Sequence, residues 1–314
     1  MMKRFLAAAL SVLFLLAAGC GSDPKPKNTK PAKLTIGLMP DTDSIPFIIA
    51  AEHGYFAEEG IEVELIPFKS AMERDAALQS GNLDGAVSDL LAVIFAHSGG
   101  FAVHAVSYTD GNYNLVAGAN AGIASAADLR GKEIAISRNT IIEYVTDEIL
   151  AVNGMKEQDV SKVVIPQIPV RLEMLQSGNL AAAVLPEPMA SVAVASGSRY
   201  VTGAGDLGLN PGVIVFTDAS IQEKAQSIRA MYRAYNKAVK YLNDTPRADY
   251  IDLVMEKSGF PAPVRDVLEL KPYRMAGVPS HKDVEEAVLW VKSKELAGEH
   301  SYKDLVSNLL VEEK

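Results

Sequence analysis

Six consecutive residues, LQSGNL, occur twice in this chain, at 78–83 and again at 175–180, and each copy runs on into a short stretch, DGAV or AAAV. Helix-forming sequence precedes each copy, at 70–80 and 171–177. Gly81 or Gly178 then stops the helix, and apolar strands are expected at 83–87 and 180–185. Ser88-Asp89 closes the first strand and Pro186-Glu187-Pro188 the second. Helix, glycine, buried strand and polar loop form the closing half of a βαβ unit. The upstream flanks correspond as well. Strands are expected at 34–39 and 133–137, helices at 46–59 and 141–153 ending on Gly60 and Gly154, and second strands at 62–67 and 162–166. Each half reads β-α-β-α-β, so the fold class is α/β, with two lobes of one plan and a parallel sheet in each.

Ligands of open parallel sheets bind beyond the carboxyl ends of the strands. Two such ends facing one another form a cleft. The β-prone runs YNLVAGA at 113–119 and GVIVFT at 212–217 are the candidate crossing strands. Lobe 1 is therefore expected at 33–117 plus 213–314, and lobe 2 at 118–212. The last hundred residues are mostly helical. Ala225, Ile228, Tyr232, Tyr235, Val239 and Leu242 share one stripe of a helix at 221–243, and further amphipathic helices are expected at 284–294 and 303–310. All are expected to pack mainly on lobe 1.

Residues 1–19 read as an export signal. Lys3 and Arg4 precede an apolar run at 5–18, broken only by Ser11 and too short for a membrane span. Leu16-Ala17-Ala18-Gly19-Cys20 resembles the bacterial lipobox, with Ala17 where leucine is commonest. Cys20 is the only cysteine, which excludes an internal disulfide and marks it for lipidation; the alternative is a plain cleaved signal with Cys20 incidental. GSDPKPKNTKPA follows, so 20–32 is a lipidated cysteine and solvated tether. Several acyl chains anchor durably where one is marginal. The body is thus expected at the cell membrane, lipid-anchored and facing the periplasm or the outside, as a monomer. A net charge of −9 excludes a general nucleic-acid binder.

The stretch PFIIAAEHGYFAEEGIEVELIPFKSAMERDAALQSGNLDGAVSD (46–89) resembles the first lobe of the sulfonate/nitrate/thiamine-precursor family of ABC-importer binding proteins. DLRGKEIAISRNT (128–140), LPEP (185–188) and KDLVSNLLV (303–311) fit the same family. The resemblance implies a type II periplasmic binding protein: two Rossmann-like lobes on a two-strand hinge, closing on a small solute and delivering it to a membrane permease and its ATPase, with no cofactor.

Strand-to-helix loops would line the pocket. In the first lobe these hold Asp41, Thr42, Asp43, Ser44, Lys69, Ser70, Ser88 and Asp89, with Tyr108 and Asn114 near the hinge; in the second, Ser137, Arg138, Asn139, Thr140 and Glu187. Helix N-termini there offer free N–H groups to an acceptor, although Ser44, Ser70 and Thr140 serve equally as plain caps. The inventory leans acidic, with Asp41, Asp43, Asp89, Asp110 and Glu187 against Lys69 and Arg138. That favours an uncharged or basic nitrogen heterocycle of the thiamine-precursor pyrimidine type. An organic sulfonate or carboxylate gripped by Arg138 is the alternative solute. A surface co-receptor that senses its solute is the alternative role.

An enzyme is not expected. GAGDLG at 203–208 opens no helix, the five histidines lack metal-binding spacing, and no Gly-x-Ser-x-Gly elbow occurs. Some pyrimidine-synthesising enzymes share the lobe plan, but their cysteine-rich catalytic stretch is missing here.

Overall fold

The computed structural model describes residues 32–296 and 298–310. The expected signal segment, Cys20 and the tether as far as residue 31 lie outside the described residues. Lobe 1 opens with β1 (Leu34–Leu38), α1 (Ile45–Glu52), α2 (Tyr55–Glu58), β2 (Val63–Pro67), α3 (Ala71–Gln79), β3 (Gly85–Asp89), α4 (Leu90–Ser98) and β4 (Val103–Tyr108). Lobe 2 follows with β5 (Tyr113–Ala117), β6 (Glu133–Ile136), α5 (Ile141–Val152), β7 (Ser161–Val164), α6 (Ile168–Gln176), β8 (Ala182–Pro186), α7 (Met189–Ala195) and β9 (Arg199–Gly203). The chain returns through β10 (Gly212–Thr217) to α8 (Asp218–Asp244), α9 (Ile251–Ser258), α10 (Val264–Val267), α11 (His281–Ser293) and α12 (Tyr302–Leu305). One expected helix, 46–59, is two: Gly54 at φ +72° separates α1 from α2.

The two sheets are built alike. Their orders are β2-β1-β3-β10-β4 and β7-β6-β8-β5-β9. In each, four strands run one way and one runs antiparallel to both of its neighbours: β10 between β3 and β4, β5 between β8 and β9. The sheets are therefore mixed, not purely parallel. The runs expected to cross between lobes are these two antiparallel strands. Each has entered its sheet because a buried β-rich run must pair its backbone groups. The crossings fall just before them, at 109–112 and 204–211, so Tyr113–Ala117 belongs to the second sheet. A Cβ on Gly111 would collide with the Asp43 carboxylate, which packs the first crossing tightly.

The repeated hexapeptide is one structural device used twice. Gly81 and Gly178 take φ of +77° and +76°. Asn82 N donates to Ala77 O and Asn179 N to Met174 O, both at 3.0 Å, as a left-handed helix cap requires. The asparagine side chains donate back to Ser80 Oγ at 2.8 Å and Ser177 Oγ at 2.9 Å. Each cap turns the chain sharply into the central strand of its sheet.

The C-terminal helices do more than cover lobe 1. There α8 packs on α1 and α2, and α11 on α4, but α10 lies against α7 of lobe 2. The Trp290 ring of α11 meets Tyr144 of α5 edge-on at 5.8 Å, and its Nε1 donates to Asp147 Oδ2 at 3.1 Å. Lys294 Nζ lies 2.7 Å from the same carboxylate. Within lobe 2, Lys162 Nζ sits among Glu143, Asp147 and Glu157 at 3.0, 2.7 and 2.8 Å. Hydrogen bonds from Lys162 and Lys294 hold Glu157 down to about 2. These three carboxylates are grouped closely enough to suit a metal, but the Lys162 and Lys294 ammonium groups are already paired with them.

Nothing lies within 4 Å of a Cβ built on Gly81 or Gly178, so their demand is purely conformational. Gly81→Ala and Gly178→Ala should each cost about 1–2 kcal/mol, the left-handed penalty of an L-residue. The double variant should cost roughly the sum, since the caps sit in different lobes. Urea unfolding checks both figures.

Candidate functional site

Between the lobes lies a small cavity of about 40 Å³, lined by Asp41, Arg74, Ser88 and Asp89 of lobe 1 and by Tyr113, Ser137, Thr140 and Arg171 of lobe 2. The lips are in contact: Ile168 N donates to Lys69 O at 3.1 Å and Gln167 Nε2 to Glu73 Oε1 at 3.3 Å. On another side Thr42 N donates to Glu187 O at 2.9 Å. Such a space holds a water or two, or one small polar group. Ser88, Ser137, Thr140 and Pro166 also line a second cavity of about 560 Å³ running between α3 and α4.

Two arginines dominate the small cavity. Arg74 and Arg171 stand 97 positions apart, the spacing of the repeat, on equivalent turns of α3 and α6. Each braces the strand that follows its helix. Arg74 Nη1 donates to Val87 O at 3.3 Å, and Arg171 Nε to Val184 O at 2.9 Å; those carbonyls are also 97 apart. Their charges are balanced differently. Arg74 Nε donates to Asp75 Oδ1 at 2.8 Å, and its Nη2 is 3.8 Å from Asp89 Oδ2. Burial pulls Arg74 down, but Asp75 and Asp89 together raise it above its ordinary value. Arg171 is fully buried and makes no ion pair among the described residues. Nη1 donates to Ile165 O at 2.8 Å, and Nη2 has no hydrogen-bond partner. Burial alone pushes Arg171 down to about 10, which still leaves it charged at neutral pH.

The expected contact residues divide into two groups. Asp41, Ser88, Asp89, Ser137 and Thr140 line the small cavity. Ser88 Oγ is buried there without a partner. Asp89 caps α4 through Ala92 N at 2.9 Å, and Thr140 caps α5 through Ile142 N at 3.2 Å. Arg138 and Asn139 are exposed beside the larger cavity, and Asn139 N donates to Glu143 Oε2 at 2.7 Å.

The others are engaged elsewhere. Ser70 Oγ caps α3 at Glu73 N, 3.3 Å away, and the Lys69 side chain is exposed. Ser44 Oγ accepts from Met39 N at 3.0 Å and donates to Asp41 Oδ1 at 3.1 Å. Thr42 O accepts from Tyr273 Oη at 2.7 Å. Tyr108 Oη donates to Met275 O at 2.7 Å beneath Arg274, away from the cleft. Glu187 accepts from Asn114 Nδ2 at 2.6 Å and Ser191 N at 3.2 Å, and lines separate grooves beside Tyr200 and Tyr273. The sequence reading missed Arg74 and Arg171 as cavity residues. The repeat held the signal, because extending its alignment four residues upstream superposes the two arginines.

Asp43 is buried in the first crossing, where its Oδ2 accepts from Tyr113 Oη at 3.0 Å. Its Oδ1 and the adjacent Thr109 Oγ1 are both buried without partners. Burial, then the neighbouring Asp41, pushes Asp43 well above the carboxylate range, and burial raises Asp41 to about 6. The Tyr113 and Thr109 hydroxyls oppose this rise without cancelling it. The folded state therefore holds protons that the unfolded chain releases near pH 4, so these groups lower stability as pH rises from about 4 through 6 and beyond. Asp43→Asn keeps the same bonds without the charge. Its melting temperature should fall less than the wild type's between pH 5 and 8, as calorimetry across that range will show.

Comparison with known proteins places the chain. Residues 41–249 match the family model described as NMT1/THI5 like. The nitrate import ATP-binding protein NrtC of Synechococcus elongatus (strain ATCC 33912 / PCC 7942 / FACHB-805) is 27% identical over 246 residues, 71% of this chain. The match covers 37% of that longer protein. The alkanesulfonate-binding protein SsuA from Xanthomonas axonopodis pv. citri, solved with MOPS, superposes with a TM-score of 0.74 at 17% identity, covering 86% of this chain and 96% of its own. The same fold also carries catalysis: the desulfurization enzyme DSZB superposes at 0.65 with 14% identity, covering 90% and 98%. A family model spanning more than half the sequence, on a two-lobed α/β fold shared with a solute-binding protein, shows that this chain belongs to the NMT1/THI5 like family.

Proposed function

We propose that this chain is the solute-binding subunit of an ABC importer, held outside the cytoplasm by a lipid on Cys20, and that its solute carries an anionic group. Closure of the two lobes captures the solute, and the closed face is offered to the permease and its ATPase. Among the described residues no helix is long and apolar enough to cross a membrane. The relatives named above support the role, since one binds alkanesulfonates and another belongs to nitrate import.

The buried Arg171 carries the ligand assignment. A desolvated guanidinium with no carboxylate partner is costly unless an anion completes it. Arg171, with its free Nη2, and Ser88, with its free hydroxyl, line one cavity. Sulfonate or carboxylate oxygens would satisfy both. This reading prefers the organic anion to the aminopyrimidine. A basic heterocycle needs accepting carboxylates, yet Asp43 and Glu187 are committed to Tyr113, Asn114 and Ser191, and Asp89 is matched by Arg74. The gripping cation is Arg171 in place of the exposed Arg138. Lobes that close on a charge buried from both sides also have a reason to stay open without one.

Arg171→Lys retains the charge and loses the fork; Arg171→Met removes both. Methionine should weaken binding of a short alkanesulfonate about 10- to 150-fold, the worth of a charge-assisted hydrogen bond, with lysine in between. Isothermal titration measures this, and circular dichroism confirms that the variants fold. Aminopyrimidines that raise the melting temperature where sulfonates and carboxylates do not would refute the assignment.

A further inference from the structure

The larger cavity has no role in gripping a charge. It runs from the cleft into lobe 1 between α3 and α4, and at about 560 Å³ it is over ten times the space at Arg171. Small side chains leave it open: Ala76 on α3 faces Ala92 and Ala96 on α4. Its depth is apolar, with Val103 and Val215 buried at the floor. Two large apolar side chains stand at its sides from opposite lobes, Met72 of α3 at 66% exposure and Val164 of β7 at 42%. A cavity of this size is typical of a site for an organic ligand and far exceeds the packing voids of a protein interior.

We infer that this chamber receives the apolar body of the same solute whose anionic group meets Arg171, so that the cargo is an amphiphilic organic anion with an alkyl or aryl portion of several carbons. Adjacency carries the inference. Ser88, Ser137, Thr140 and Pro166 line both spaces, so a molecule with its head at Arg171 has the chamber beside it, while Ile168 N and Lys69 O hold the lips together. The 40 Å³ space admits a head group and nothing bulkier. Val164 and Pro166 of lobe 2 would then cover a body lying along α3 and α4, burying apolar surface contributed by both lobes. A compact inorganic oxyanion would leave the chamber unfilled and gain nothing from it. The inference rests on the proposed solute-binding role and is separable from the assignment of charge.

The test is a chain-length series on the full-length protein: linear alkanesulfonates from two to eight carbons, with the matching neutral 1-alkanols, by isothermal titration. Kd should fall about fourfold per added methylene until the chamber is filled. Ala92→Phe, which occupies the chamber, should flatten that dependence while ethanesulfonate binds as before; Ala76→Leu, at an exposed helix position, gives the same readout if the phenylalanine disturbs folding. Affinity independent of chain length, or a dependence untouched by either substitution, overturns the chamber. Ethanesulfonate binding that needs Arg171 but gains nothing from longer chains keeps the charge assignment and removes the chamber. Alkanols whose binding grows with length and is blocked by Ala92→Phe, where no sulfonate binds, keep the chamber and remove the charge assignment.

Discussion

A guanidinium sealed from water with only carbonyl oxygens around it is the constraint from which the structure is best understood. Arg171 spends its Nε and Nη1 on Val184 and Ile165, fastening α6 to its sheet, and leaves Nη2 at the cleft. Two donor atoms turned to carbonyls do not replace the hydration of a full charge. Arg74, its counterpart in lobe 1, shows the alternative: the same bracing of a strand, with Asp75 and Asp89 completing the charge. The repeat supplies two similar braces, and the carboxylates around them differ, so that of the two only Arg74 is paired with acids among the described residues.

The lobes are joined more intimately than two crossing segments alone would achieve. The C-terminal helices belong to lobe 1 by packing, yet Trp290 and Lys294 reach Tyr144 and Asp147 of lobe 2. α10 touches α7 as well. Any opening motion must part or slide these contacts. The closed arrangement thus has support besides the solute, and a modest differential affinity suffices to shift the balance between states.

Much of this was legible in the residues. The Gly81 and Gly178 stops, the capping serine and threonine at 70 and 140, and the strands after each repeat appear where expected, because each depends on a few neighbours along the chain. The sheets were harder. That 113–117 and 212–217 enter sheets as antiparallel strands follows from partners 65 to 131 positions away, which no local pattern displays. The site was harder still. Of the residues that loop position singled out, Asp41, Ser88, Asp89, Ser137 and Thr140 line the small cavity. Loop position also drew in Tyr108, Asn114 and Glu187, whose polar atoms are spent on internal bonds.

A count of charges is incomplete for a physical reason. Five acids against two bases favour a basic or neutral solute, but a buried carboxylate acts on a ligand only if its charge and lone pairs are free. By itself the sequence determined the duplicated β-α-β-α-β plan, the glycine caps and the loops that approach the cleft, since these arise from short-range backbone preference and hydrophobic period. Only the tertiary structure decided which ionisable groups neutralise one another and which is left alone. That depends on side chains brought together from distant segments, and on how completely water is removed from each.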